Sequence, residues 1–224
     1  MAKHLVRDLE ILQKQILAMA GFVEDAIYQS MQAVLDHNRH LAEAVIDGDD
    51  KVDEYDNGVI DECLKLIALH QPVAGDLRRI ATVFMLTTDL ERMGDLAVDI
   101  AKRAIVLASP PIIPIPEKLS NMTDLVTSLV RQSLDAFVNL DARLARKVIR
   151  LDNEVDHYND QIIDKLLQDM KKCPDHIDPC LSLFSIVRHL ERIGDHATNI
   201  AEDVIYLVDG EMVRHRTERP IEDE

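Results

Sequence analysis

A twelve-residue passage of this chain returns later with eight of its residues unchanged. Leu90-Glu91-Arg92-Met93-Gly94-Asp95-Leu96-Ala97-Val98-Asp99-Ile100-Ala101 returns 100 positions later as Leu190-Glu191-Arg192-Ile193-Gly194-Asp195-His196-Ala197-Thr198-Asn199-Ile200-Ala201, and Phe84 and Phe184 keep that offset. Further upstream the offset is 103: Val52, Asp53 and Tyr55 match Val155, Asp156 and Tyr158, and Asp61 matches Asp164. Ala42, Val45 and Ile46 match Ala145, Val148 and Ile149, while Met19, Val23, Ser30 and Ala33 match Met122, Val126, Ser133 and Ala136. The three-residue difference fits a deletion in the loop around Cys173 to Asp178. A chain so ordered must fold as two copies of one unit.

The units meet at Ser109-Pro110-Pro111-Ile112-Ile113-Pro114-Ile115-Pro116, where four prolines forbid a continuing helix and favour extended backbone. The expected division is a first unit over 1–108, a connector over 109–116, a second unit over 117–209 and a charged tail over 210–224. The connector is apolar, so it is expected to pack against a bundle. The tail lacks an apolar stripe and is expected to fray.

Each unit reads as three long helices, giving an all-α fold of two tandem three-helix bundles, six long helices in all. Leu9, Leu12, Ile16, Met19, Phe22, Val23, Ala26, Ile27 and Ala33 recur at helical spacing. A second helix is expected from about Asn38 to Leu69, bent at Asp47-Gly48-Asp49, and a third from Ala74 to Leu107. In the second unit breaks fall at Asn139 to Asp141 and at Cys173-Pro174. Asp178-Pro179 reads as a helix start, with Asp as N-cap. Seven glycines, eight prolines and 4% aromatics leave little for a sandwich or barrel.

A net charge of −16 excludes a nucleic-acid binder that relies on overall charge. Cys63, Cys173 and Cys180 form neither a disulfide framework nor a CxxC pair. No secretory pattern opens the chain, and no uncharged apolar run reaches the roughly 18 residues of a membrane span. The expectation is a cytoplasmic protein that meets a membrane peripherally at most.

Acidic residues line the last helix of each unit. Glu91, Asp95 and Asp99 stand at i, i+4 and i+8, so three carboxylates share one helix face. Their counterparts are Glu191, Asp195 and Asn199, and the row can continue to Asp203. The middle helices add Asp49, Asp53 and Asn57, and Asp152, Asp156 and Asp160. Like charges four apart cost roughly 0.2–0.5 kcal/mol per pair. Oxygen donors in such a row suit Mg²⁺, Ca²⁺, Mn²⁺ or iron; the other reading is a solvated face neutralised by Arg92 and Arg192. Gly94 and Gly194 are read as steric, letting a neighbouring helix approach. His196 is read as a surface or packing residue.

These residues carry a resemblance. His70-Gln71-Pro72-Val73-Ala74-Gly75-Asp76-Leu77-Arg78-Arg79-Ile80, followed by Asp89 to Asp95 and repeated at His189 to Asp195, is similar to the PhoU family of phosphate-uptake regulators. Arg7-Asp8-Leu9-Glu10 and the Asp53–Tyr55 segment add to it, over Lys3 to Asp209. The resemblance implies a pseudo-twofold relation between the bundles, and a cytoplasmic, non-enzymatic adaptor. Such an adaptor links a phosphate ABC transporter, through its ATPase subunit, to a sensor histidine kinase. It restrains uptake and starvation signalling, and is expected to be a homodimer. The resemblance also implies metal ions on Glu91, Asp95 and Asp99, and on Glu191, Asp195 and Asn199. Asn199 coordinates only through a neutral carbonyl. Asp53, Asn57, Asp156, Asp160 and Asp203 are secondary candidates. Two other readings stand: a carboxylate-bridged helical metalloenzyme, and a purely structural bundle. No electropositive pocket for phosphate is evident; Arg78, Arg79 and Arg103 are the nearest cations, with ion pairing as their simpler role.

Overall fold

The computed structural model describes residues 2–210, with side chains from His4 onward; the segment Glu211–Glu224 lies outside the described residues. Seven α-helices follow one another: α1 (Ala2–Leu35), α2 (Arg39–Asp47), α3 (Asp50–His70), α4 (Ala74–Leu107), α5 (Glu117–Asn139), α6 (Ala142–Lys172) and α7 (Ile177–Asp209). A 3₁₀ turn at Pro174–His176 precedes α7. Among the described residues there is no strand.

The repeat explains the count. α2 and α3 together take the place that α6 fills unbroken, and the interruption falls at Gly48, with Asp47, Asp49 and Asp50 around it. Glycine weakens the helix there, and carboxylates crowded at that level favour a fresh N-terminus, where the helix dipole suits Asp50 and Asp53. Local chemistry sets the other ends. Asn38 accepts from the Leu41 amide at 3.1 Å, and Asp141 accepts from Arg143 and Leu144 at 2.9 and 3.0 Å. Gly210 closes α7 in the left-handed region, at φ 76°.

The Asp178 N-cap expectation is corrected. α7 begins at Ile177, and Asp178 and Pro179 lie within its first turn. Pro174 starts the 3₁₀ turn that delivers the chain into α7. Pro179 is tolerated because the first turn has no helical acceptor for its missing N–H. The apolar periodicity of α1 holds in the core at Leu9, Leu12, Ile16, Met19, Val23, Ile27 and Ala33, but Phe22 is 37% exposed. Its ring lies against Tyr55 of α3, centroids 5.4 Å apart, with Lys51 Nζ above it. The connector packs as expected, with Ile113 buried.

Packing gives two layers. α4 and α7 lie side by side at the centre of one layer; α2 and α3 flank α4, and α6 flanks α7. α1 covers the α3–α4 pair, α5 covers the α6–α7 pair, and α1 touches α5. The second layer therefore sits on one side only, leaving the other side of the α3–α4–α7–α6 layer open. One continuous core of aliphatic residues fills the space between layers. Each large side chain fully buried there contributes roughly 1.5–3 kcal/mol.

Polar contacts across the α4–α7 seam fix its register. Asp89 of α4 accepts from Asn199 at 3.1 Å and lies 2.8 Å from Nδ1 of His196. On the other side of centre, His189 of α7 feels the carboxylate of Asp99. At the end of the seam Arg78 lies beside Gly210. The two helices are thus antiparallel, and the pseudo-twofold axis passes between Gly94 and Gly194.

Both glycines are steric, as their position inside long helices implies. A Cβ on Gly94 would stand 3.2 Å from Val52 Cγ1 of α3; one on Gly194 would stand 3.0 Å from Asp152 Oδ1 of α6. Gly94→Leu is expected to destabilise the protein by about 1–3 kcal/mol through overpacking. Gly58→Ala, at a helical glycine with open space around it, is expected to stabilise by up to about 1 kcal/mol. Denaturant unfolding of the two variants checks the contrast.

Candidate functional site

The open face brings the acidic rows together across helices. In the first unit Asp49, just before α3, and Asp53 and Asp56 of α3 meet Glu91 and Asp95 of α4. Burial pushes the Asp49 carboxyl up, as do Asp53 and Asp95, while Lys102 opposes them. Glu91 is pushed up by burial and then by Asp95, with Asp56 and Asp53 adding and Arg92 opposing. Burial and Asp53 raise Asp56. In the second unit Asp152 and Asp156 of α6 meet Glu191 and Asp195 of α7. Asp152 is pushed up to about 7 by burial, Asp195, Asp156 and Glu191. Glu191 and Asp195 are raised first by burial and then by their acidic neighbours, against Arg188.

Cations of the chain partly answer these charges. Arg92 approaches Glu91 at 3.6 Å and Asp95 at 3.7 Å, Lys102 pairs with Asp99 at 2.9 Å, and Arg188 pairs with Glu191 at 2.8 Å. Among the described residues no group of three or more His, Cys, Asp or Glu side chains is gathered tightly enough to hold a metal ion as placed. The donor set nevertheless suits a hard cation in kind: all oxygen and crowded, with Asp49, Asp56, Glu91, Asp152, Glu191 and Asp195 raised in proton affinity first by burial and then by acidic neighbours.

Other candidates go elsewhere. Asn199 turns its amide into the seam toward Asp89. Asn57 donates to the Asp53 carbonyl of its own helix at 2.8 Å. Asp160 accepts from Asn159 at 3.3 Å, and Asp203 is buried within α7 at 2% exposure. Arg79 donates to Gln13, and Arg78 and Arg103 lie at opposite ends of α4. Asp56 was legible as the i+7 partner of Asp49, and Arg188 as the ion-pair partner three residues before Glu191; Asp89 gave no comparable signal.

Comparison with known proteins decides the family. The pattern defining the PhoU domain matches this chain twice, over residues 16–104 and 119–204. The chain belongs to the PhoU family. A phosphate-specific transport system accessory protein PhoU homolog of Aquifex aeolicus is 40% identical over 212 residues, covering 95% of this chain and 96% of that one. One from Pseudomonas putida is 38% identical over 93% of this chain and 82% of its own length. The crystal structure of PhoU from Pseudomonas aeruginosa superposes with a TM-score of 0.89 at 37% identity, over 92% of this chain and 99% of that one. That of the phosphate transport system regulatory protein PhoU from Streptococcus pneumoniae gives 0.87 at 28%, over 93% and 99%. The PhoU relatives are accessory and regulatory proteins, not enzymes. Among the described residues no helix is long and apolar enough to cross a membrane. Each PhoU domain match includes one acidic cluster, and the shared seam between the matches carries the Asp89 contacts.

Proposed function

We propose that this chain is a cytoplasmic, metal-binding adaptor of phosphate uptake. It joins the ATPase subunit of a phosphate ABC transporter to a sensor histidine kinase and restrains uptake and starvation signalling. Full-length likeness to phosphate transport accessory proteins supports the regulatory part. The metal-binding part rests on one observation: cross-helix carboxylate clusters at equivalent places in both units, in which burial and then acidic neighbours raise Glu91 and Asp152.

Glu91, Asp95 and the neighbouring α3 carboxylates would hold one cation or group of cations; Glu191, Asp195, Asp152 and Asp156 would hold the other. A bound ion supplies positive charge that pins α3 to α4 and α6 to α7 while relieving repulsion. The oxygen-only donor set suits a divalent or iron-type ion. Asp99, paired with Lys102, and Asn199, turned toward Asp89, take no part in these clusters. In this reading the protein works as a homodimer and reaches the membrane through its transporter partner.

Asp95→Lys is expected to remove cation binding from the first unit and leave helicity intact. With Mn²⁺ as probe, calorimetry should lose one of two classes of site, and the thermal shift on adding Mn²⁺ should shrink. Unchanged occupancy in this variant would remove the assignment of the first cluster.

A further inference from the structure

Near its start α6 turns four cations to one side. Arg143, Arg146, Lys147 and Arg150 follow one another at steps of three, one and three residues, within about 100° around the helix. Asp152, nine residues past Arg143, is about half a turn away, across a helix about 10 Å wide. This side of α6 is therefore opposite the open face and its carboxylates. Arg146 donates to Asp209 at 2.7 Å. Arg143, Lys147 and Arg150 are exposed, and among the described residues none of them has an ion-pair partner. On the same helix Asp141 is engaged as the N-cap, and Glu154, one turn past Arg150, ends the run.

The duplicated fold does not require this patch. At the offset of 103 the same four positions of the first unit hold His40, Glu43, Ala44 and Asp47. The turn before them differs in the same sense. Leu140 and His37 occupy equivalent places, both left-handed, at φ 52° and 48°. His37 meets the Leu107 carbonyl at 3.1 Å, whereas Leu140 is 53% exposed. Val138 just before it, and Val208 beside the Asp209 that Arg146 holds, are exposed as well. One corner of a chain with a net charge of −16 thus combines free cations with uncovered aliphatic side chains.

We propose that this corner docks directly on an anionic phospholipid bilayer, a contact separate from any made through a transporter. Charge and apolarity together select the occupant. Arg and Lys heads are drawn to anionic headgroups, each adding about fivefold in affinity near such a surface. Leu140, Val138 and Val208 add aliphatic surface that the boundary between headgroups and acyl chains takes up, and that a nucleic-acid backbone would leave wet. The carboxylates on the far side of α6 oppose the contact weakly, because salt screens charges beyond about 8 Å. The open face points away from the bilayer and stays accessible to cations.

The test sediments the full chain with vesicles of phosphatidylcholine alone, or of phosphatidylcholine with phosphatidylglycerol. Chelator keeps metal ions from bridging carboxylates to lipid, and no transporter component is present. The wild-type chain should bind the anionic vesicles only, and less as salt rises. Arg143→Gln with Lys147→Gln should weaken binding roughly twenty-fivefold, and Leu140→Ser roughly fivefold. Lys171→Gln with Lys172→Gln removes as much charge from the other end of α6 and should change binding by less than about twofold. Equal losses in the two double variants, or none in either, overturn the proposal, as does binding to neither vesicle or to both alike. Tighter retention on RNA than on vesicles overturns it in favour of a nucleic-acid face. A change in solution mass on Arg143→Gln with Lys147→Gln overturns it by making the corner the chain's own interface. Vesicle binding that appears only once residues 211–224 are removed overturns it by making that segment the occupant. Each of these outcomes leaves the adaptor reading untouched.

Discussion

Asp152→Asn is expected to stabilise the cation-free protein at pH 8 by about 2 kcal/mol and to flatten its stability between pH 4 and 7. Asp152 lies where α6 meets α7, beside the glycine that lets the helices close. Its carboxyl, ordinarily near 3.8, is held up to about 7 by burial and by Asp195, Asp156 and Glu191. The unfolded chain releases this proton near pH 4, the folded chain near pH 7. Between those values the folded state binds more protons, so stability falls as pH rises, and it levels off above 7. A full displacement would be worth about 4 kcal/mol at 1.4 kcal/mol per unit. Water at the open face screens part of it, leaving about half. Asn keeps the shape without the charge, so the share of the wild-type decline that Asp152 carries should be missing from the variant, while the raised Glu191, Asp195 and first-unit carboxyls keep theirs and the two proteins match below pH 4. Urea unfolding across pH in chelator measures this. Equal slopes for both proteins would show that Asp152 ionises in the folded state much as it does in water.

The same repulsion bears on regulation. A cation that binds the ionised cluster removes the penalty, so folding and ion binding are linked. Ion binding near neutral pH should also release a proton, because Asp152 is then partly protonated.

Much of this was legible because duplication turns weak signals into paired ones. The Glu-Arg-x-Gly-Asp element, read twice, placed α4 and α7, and the helical period placed their buried faces. Gly94 and Gly194 pointed to close helix contacts, the reading favoured over room for an ion or a partner, and Val52 and Asp152 stand against the places their Cβ atoms would take. What escaped were the facts that depend on which helix lies beside which. Spacing along one helix cannot say that α4 meets α7, so it could not place Asn199 in a seam or give His196 a carboxylate from the other unit. The N-cap at Asp178 failed for a local reason: a 3₁₀ turn from Pro174 captured the helix start first.

The seam supplies the other large effect. Asp89→Ala is expected to cost about 2–4 kcal/mol, against well under 1 kcal/mol for Asp99→Ala at the pseudo-equivalent level of the seam. The two carboxylates belong to one helix and lie symmetrically about the axis, yet their surroundings differ. Asp89 is 6% exposed and joins His196 and Asn199 of the other unit. Removing it leaves two half-buried polar groups without their acceptor and a void between the central helices, and each loss adds to the other. Asp99 is half-exposed, pairs with Lys102 of its own helix and meets His189 across the seam only through its charge, so its loss is largely met by water. Asp89→Asn should recover part of the stability, because its carbonyl oxygen still accepts from Asn199. Thermal unfolding of the three variants decides the matter. Equal destabilisation at both positions would mean that the seam is held by its aliphatic packing alone, and that the Asp89 contacts between the units add nothing to their union.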